Sequence, residues 1–68
     1  MKIILNGSSS DVRVGESVLV AIEQLGLKPD ARGVAVAVDG EVIPRAQWED
    51  VRLSEGARVE VLSAMQGG

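Results

Sequence analysis

The chain closes on "SAMQGG", residues 63–68, and its last two residues, Gly67 and Gly68, are the ones whose type and position best suit chemistry. Elsewhere the usual reactive side chains are missing. There is no cysteine and no histidine, which removes disulfides, thiolate nucleophiles, imidazole bases and ordinary zinc sites together. What remains is an α-carboxylate. Its pKa is about 3.5, so it is ionised at neutral pH and needs no base to act as a nucleophile. Glycine lacks a Cβ, so a Gly67-Gly68 end threads a narrow channel and adopts backbone angles that other residues avoid. It also presents an unhindered carbonyl, which a side chain at either position would crowd. The bland alternative is a frayed terminus or a cloning remnant, and the rest of the chain has to decide between the two.

Size and composition narrow the classes. A chain of 68 residues is one domain at most, and such a domain buries only about 60% of the surface its unfolded chain exposes. There is no room for a deep substrate cleft with supporting residues behind it, which argues against a free-standing enzyme. Apolar residues make up 46% and charged residues 25%, too apolar for a disordered chain. Trp48 is the sole aromatic residue, so the core must be built from Val, Leu, Ile and Ala. Seven basic against ten acidic residues give a net charge of −3. With no basic cluster to displace phosphate counterions and no row of aromatics to stack bases, no nucleic acid is expected as a partner. No apolar stretch reaches membrane-spanning length, so no membrane is expected either. Lys2 is followed by only three apolar residues before Asn6. That is no secretory signal, and the expected location is cytoplasmic.

The elements that must carry the terminus follow from periodicity. "MKIILN" alternates as a strand, with Met1, Ile3 and Leu5 on one face. "GSSSD" is a turn cluster, and "VRV", with Val12 and Val14 flanking Arg13, returns to complete a hairpin over residues 1–14. Ser17 is a natural N-cap. Val18, Ala21, Ile22 and Leu25 then recur at helical spacing, Gly26 fits a left-handed helix end, and Pro29 prevents continuation. "KPDARG" is a loop. "VAVAV", residues 34–38, is a strand that turns through Asp39-Gly40 into "EVI". Pro44 ends that strand, a short helical turn is expected near Trp48, and "ARVEVLS" is the last strand. One helix and one open sheet make an α+β domain with a two-layer core. The first and last strands fit side by side in the middle, parallel, with a hairpin on either flank. Residues 1–63 form the globular domain and residues 64–68 a flexible tail.

This order, with the Gly-Gly end, resembles the ubiquitin-like β-grasp sulfur carriers of prokaryotes, and in particular the ThiS-like carriers of thiamine (thiazole) biosynthesis. The resemblance covers nearly the whole chain, from "MKIILNG" to "QGG". Its most diagnostic piece is "AVDGEVIPRAQWED", where the family's "VPR" triplet reads Ile43-Pro44-Arg45 and Trp48 stands where expected. The resemblance implies a mixed sheet of four to five strands covered by one main helix. It also implies a mechanism. A ubiquitin-activating-like adenylyltransferase would use ATP to adenylate the carboxylate of Gly68, with Gly67 beside it. Sulfur from a donor such as a cysteine desulfurase would then replace AMP to give a thiocarboxylate, and a thiazole synthase would take that sulfur. The chain would bind no cofactor of its own, the ATP belonging to the activating partner.

If the helix covers Met1, Ile3, Leu5, Val34, Val36, Val38, Val59 and Val61, then Ile4, Ala35, Ala37 and Leu62 point away from it. An apolar patch beside a reactive tail is what a docking surface needs, against the alternative of scattered surface apolars. The partner-binding set expected is therefore Ile4, Ala35, Ala37 and Leu62, with Met65 and Gln66 from the tail. Trp48 is read as hydrophobic cover for the core. Arg45 could pair with an acidic residue or contact a partner. Asp39, Glu41, Glu49 and Asp50 read as a solvated face with no metal-loop spacing. Three competing functions stay open: a carrier for molybdopterin or tRNA thiolation, a ubiquitin-like modifier conjugated through Gly68, and a plain interaction domain with an inert tail. Because the chain lacks Cys and His, the purified protein alone is expected to hydrolyse no ATP and to hold no metal. Zinc remaining in equimolar amount after dialysis, read by elemental analysis, or ATP turnover by the pure chain would overturn this.

Overall fold

Two dipeptides at which the backbone runs left-handed set the sheet. Asn6 and Gly7 have φ of 47° and 85°, and Asp39 and Gly40 have φ of 51° and 85°. Positive φ at both central residues is the type I′ hairpin turn, whose twist matches that of paired strands. The computed structural model describes residues 1–24, 26 and 33–63. In these, Asn6-Gly7 joins β1 (Lys2–Leu5) to β2 (Ser8–Asp11), and Asp39-Gly40 joins β3 (Val34–Val38) to β4 (Glu41–Ile43). A 3-10 turn at Arg45–Gln47 and the last strand, β5 (Arg58–Ser63), follow. The sheet order is β2-β1-β5-β3-β4, with β1 and β5 parallel at its centre and the other pairs antiparallel. This is the arrangement expected from the sequence, and it is the ubiquitin-like β-grasp.

The first hairpin corrects the sequence reading. The serines of "GSSSD" are not the turn but the return strand, and "VRV" is not a strand. The two-residue Asn6-Gly7 loop pairs Leu5 with Ser8 and carries the register down to Lys2 and Asp11. Serines that favour turns in isolation are thus carried into a strand, tertiary pairing overriding local preference. The ladder runs one step further. The Met1 ammonium donates to the Val12 carbonyl at 2.7 Å and the Val12 N–H to the Met1 carbonyl at 2.9 Å. Val12 is buried there, whereas Val14 is 84% exposed.

Helix α1 (Val18–Gln24) begins as its sequence requires. The Ser17 hydroxyl accepts from the Val20 N–H at 3.2 Å, satisfying one of the orphan amides of a helix start. Tertiary contacts satisfy two more: the Val18 N–H donates to the Val51 carbonyl at 3.0 Å and the Leu19 N–H to the Trp48 carbonyl at 3.1 Å. The segment after the 3-10 turn is thereby fastened across the helix start. Gly26, at φ 80°, donates to the Glu23 carbonyl at 3.0 Å and closes the helix. Leu25 and Pro29 lie outside the described residues.

Val18, Ala21 and Ile22 of the helix meet Ile3, Leu5, Val36, Val59 and Val61 of the sheet, with Val12, Trp48, Leu53 and Ala57 completing the core. Met1, Val34 and Val38 pack against it partly buried. Trp48 is 2% exposed, and its Nε1–H donates to the Ile43 carbonyl at 2.9 Å. It is core cover, as read. The Arg45 guanidinium lies 4.7 Å above its ring centroid, a cation–π contact. Pro44 ends β4 and leads into the 3-10 turn.

In a core without another aromatic ring, Trp48→Ala is expected to destabilise the fold by about 3–5 kcal/mol. That is most of the stability of a domain this small, given a typical total of about 5–15 kcal/mol. The urea midpoint should collapse towards zero, and an unfolding curve within about 1 kcal/mol of wild type would refute the burial assigned to Trp48.

Candidate functional site

The face of the sheet turned away from α1 is made by alternate residues of its strands. Ala35 and Ala37 of β3 stand on it, as do Arg58, Glu60 and Leu62 of β5 and Ile4 of β1. The facing follows from the opposite set: Ile3, Leu5, Val36, Val59 and Val61 are buried against the helix, and strand side chains alternate.

Register shows which of these residues meet. Ala35 is opposite Leu62, and Ala37 is opposite Glu60 on one side and Val42 on the other. Leu62 and Val42 are 67% and 68% exposed. Two alanines therefore form a shallow floor between two projecting apolar side chains. Val42 was not among the sequence candidates. The signal was present, because a two-residue Asp39-Gly40 loop places Val42 opposite Ala37 and so on the outer face.

Ile4 faces outward and is half-buried, but it does not join this floor. Its partner on β5 is Arg58, and Leu62 lies four residues further along, about 13 Å at strand spacing. Ile4 instead lines an open depression of about 430 Å³ with Gly7, Arg58, Val59 and Glu60. The outer face thus has an apolar end around Ala35, Ala37, Val42 and Leu62 and a charged end around Arg58, with the exposed Lys2–Asp11 ion pair at 3.1 Å beyond it. Asp39, Glu41, Glu49 and Asp50 are all exposed. Asp39 spends one carboxylate oxygen on the Arg58 N–H at 3.0 Å.

The apolar end is also the end from which the chain leaves the sheet. β5 stops at Ser63, beside Val34, one residue past Leu62. Met65, Gln66, Gly67 and Gly68 lie outside the described residues. By length alone, six extended residues from 63 to 68 reach at most about 20 Å. By that length, position 68 can lie no further than this from the end of β5.

Comparison with known proteins agrees over the whole chain. The profile of the ThiS family matches residues 3–68. All 68 residues align at 26% identity with the full length of the sulfur carrier protein ThiS of Escherichia coli. They also align at 28% identity with a thiazole synthase of Paramagnetospirillum magneticum, of whose length the chain spans 20%. The crystal structure of the thiamine biosynthesis protein ThiS from Geobacter metallireducens superposes with a TM-score of 0.82 at 30% identity, covering all of both chains. A solution structure of a thiamine biosynthesis protein from the same organism gives 0.77 at 31% identity, covering 100% of this chain and 88% of that one.

The exposed position of Leu62 yields a test of the floor. Leu62→Arg should move the melting temperature by no more than a surface substitution does, about 0.5 kcal/mol in stability. It should weaken binding to the adenylating partner expected from the sequence at least tenfold, measured by titration calorimetry. Unfolding of the variant would invert the facing, and unchanged binding would remove the floor from the docking surface.

Proposed function

The chain belongs to the ThiS family, and on that footing we propose that it carries sulfur for thiazole formation in thiamine biosynthesis, with the carboxylate of Gly68 as the reacting group. The observation that carries this reading is full-length similarity to a sulfur carrier, joined to a sheet whose apolar end lies at the root of a segment ending in two glycines. The similarity to a thiazole synthase supports thiazole over molybdopterin or tRNA as the destination of the sulfur.

The chemistry asks little of the carrier itself. The ionised carboxylate attacks the α-phosphate of ATP held by a ubiquitin-activating-like adenylyltransferase. Pyrophosphate leaves, and the acyl adenylate that forms has a good leaving group. A sulfur nucleophile delivered by a donor such as a cysteine desulfurase adds to the carbonyl and AMP departs. If that sulfur arrives as a donor persulfide, the product is an acyl disulfide, and a second thiol cleaves it, forming a disulfide with the donor and leaving the thiocarboxylate. A thiazole synthase then takes the sulfur, and the carboxylate is regenerated. The outer floor of Ala35, Ala37, Val42 and Leu62 holds the partner, with Met65 and Gln66 lying along the entry to its active site. Gly67 and Gly68 pass the narrow part and leave the carbonyl open to attack. Every proton-transferring and metal-binding group belongs to the partners. The chain is a substrate of enzymes and the ATP is the activating enzyme's.

Incubation with ATP, a sulfur source and cell extract, followed by intact-mass measurement, should show one oxygen replaced by sulfur at the C-terminus. Conjugates migrating above the free chain would point instead to a protein modifier. One alanine appended after Gly68 turns the reacting carboxylate into an amide and places a Cβ beside the carbonyl to be attacked. This variant should keep its melting temperature and its binding to the activating enzyme while forming no adenylate or thiocarboxylate. Deleting Gly68 should leave the fold equally untouched and abolish transfer by shortening the reach. An untrimmed, extended protein that still acquires sulfur would refute the assignment.

A further inference from the structure

β5 is longer than its central neighbour. Its pairing with β1 covers only Arg58 and Val59, opposite Ile4 and Leu5, because β1 ends at Leu5 and the chain turns away at Asn6 and Gly7. Residues 57, 59 and 61 direct their backbone polar groups towards β1: the Ile4 N–H donates to the Ala57 carbonyl at 2.8 Å and the Asn6 N–H to the Val59 carbonyl at 2.9 Å. Val61 is next in that series and has no β1 residue to meet. The Asn6 carboxamide takes that place. The Val61 N–H donates to Asn6 Oδ1 at 2.8 Å, and Asn6 Nδ2 donates to the Val61 carbonyl at 3.3 Å. A side-chain amide thus serves as one more peptide unit of the ladder, held in position by the left-handed backbone of Asn6, φ 47°, which asparagine tolerates better than most residues.

Beyond this pair, no bond from the β1 side reaches β5 among the described residues, and Leu62 and Ser63 are held only through β3. Resting on the carrier reading above, we propose that Asn6 is a positioning residue for transfer at the C-terminus: its carboxamide clamps Val61 and so fixes the direction in which β5 delivers residues 64–68 to a docked partner. Reactions between held groups depend steeply on orientation, and about 1 Å of misplacement costs as much as about 100-fold in rate. The clamp is two residues before the strand end and beside Leu62, so it acts first on the root of the tail, while Ala35, Ala37 and Val42 of the floor are held by the pairing of β3 with β4 and do not depend on it.

The molecule contains its own control. Asp39 occupies the equivalent place in the other I′ turn, with φ 51°. Its side chain accepts from the Arg58 N–H at 3.0 Å, at the end of β5 remote from the tail. Asn6→Gly and Asp39→Gly each keep the positive φ and each remove a side-chain clamp on β5. The experiment compares them in the full chain by two readouts. The first is 15N relaxation of Leu62 and Ser63 in the free protein. The second is steady-state adenylation by the activating enzyme. Asn6→Gly should lower the order parameters of Leu62 and Ser63, and reduce kcat at least tenfold with KM within twofold of wild type. Asp39→Gly should leave both at wild-type values. Should Asn6→Gly fail to fold, Asn6→Asp is read in its place with the same expectations: it keeps the acceptor for Val61 but sets a carboxylate oxygen against the Val61 carbonyl. Wild-type order and kcat in the Asn6 variant would overturn the proposal, as would equal losses from both turns, which would mark the clamp as merely structural. If the wild-type chain is not adenylated, the carrier reading fails, and the relaxation comparison alone decides whether Asn6 holds the end of β5.

Discussion

The central strand must find partners for its backbone polar groups on both sides, and every other feature of the fold is arranged around that demand. β3 serves one side along its whole length, from Val34 opposite Ser63 to Val38 opposite Val59. On the other side β1 is too short. A backbone N–H or C=O left unpaired in a partly buried place costs free energy comparable to a lost hydrogen bond, so the shortfall is met by side chains. Asn6 completes the β1 edge at Val61 and Asp39 completes the β3 edge at Arg58. Both are the first central residues of I′ turns. The turns that create the two hairpins therefore also fasten the strand between them.

With β5 anchored, one layer of the molecule is closed and the other left open. Helix α1 seals the inner face, and its own start is sealed by the Trp48 and Val51 carbonyls. Trp48 fills the end of the core and bonds Ile43, which ties the 3-10 turn to β4. Among the described residues, nothing of this chain lies above the outer face. Its alanines keep the surface low between Val42 and Leu62, with Glu60 opposite Ala37 and Arg58 further along β5. On the carrier reading proposed above, such a division leaves a rigid body with one open face for a partner to grip.

Local chemistry made much of this legible. Alternating valines placed β3 and β5, Ser17 and Gly26 bounded the helix, and Asp39-Gly40 specified its hairpin. The facing of the sheet followed from having one helix to cover one sheet, and the central parallel pair of first and last strands was an expected arrangement that the structure has. The first hairpin was misread because three serines in a row look like a turn, whereas the dipeptide that dictates register, Asn6-Gly7, stood just before them. Ile4 was read correctly as outward but wrongly grouped with Leu62. Alternation gives the face on which a side chain lies, and only the stagger of parallel β1 against β5 gives its place along that face. Val42 was missed for the opposite reason, its alternation being clear but spread over a strand of three residues.

The sequence by itself determined the class of fold, and its resemblance to the ThiS-like carriers pointed to the family. Absent Cys and His exclude thiolate and imidazole chemistry, apolar periodicity places the helix and most of the strands, and the Gly67-Gly68 pair belongs to the pattern that carries the resemblance. These are properties of residue type and spacing, and they hold before anything packs. Tertiary structure alone decided the pairing offset of β5, the break between the apolar floor and Ile4, the stacking of Arg45 on Trp48 and the use of Asn6 as a peptide substitute. Apart from Arg45 and Trp48, which are near neighbours, these join residues distant in sequence, and Asn6 and Val61 are 55 residues apart. No local preference encodes such a contact. It arises because a short strand lies beside a longer one, and the polar groups left over must be satisfied by whatever side chain the turn brings within reach.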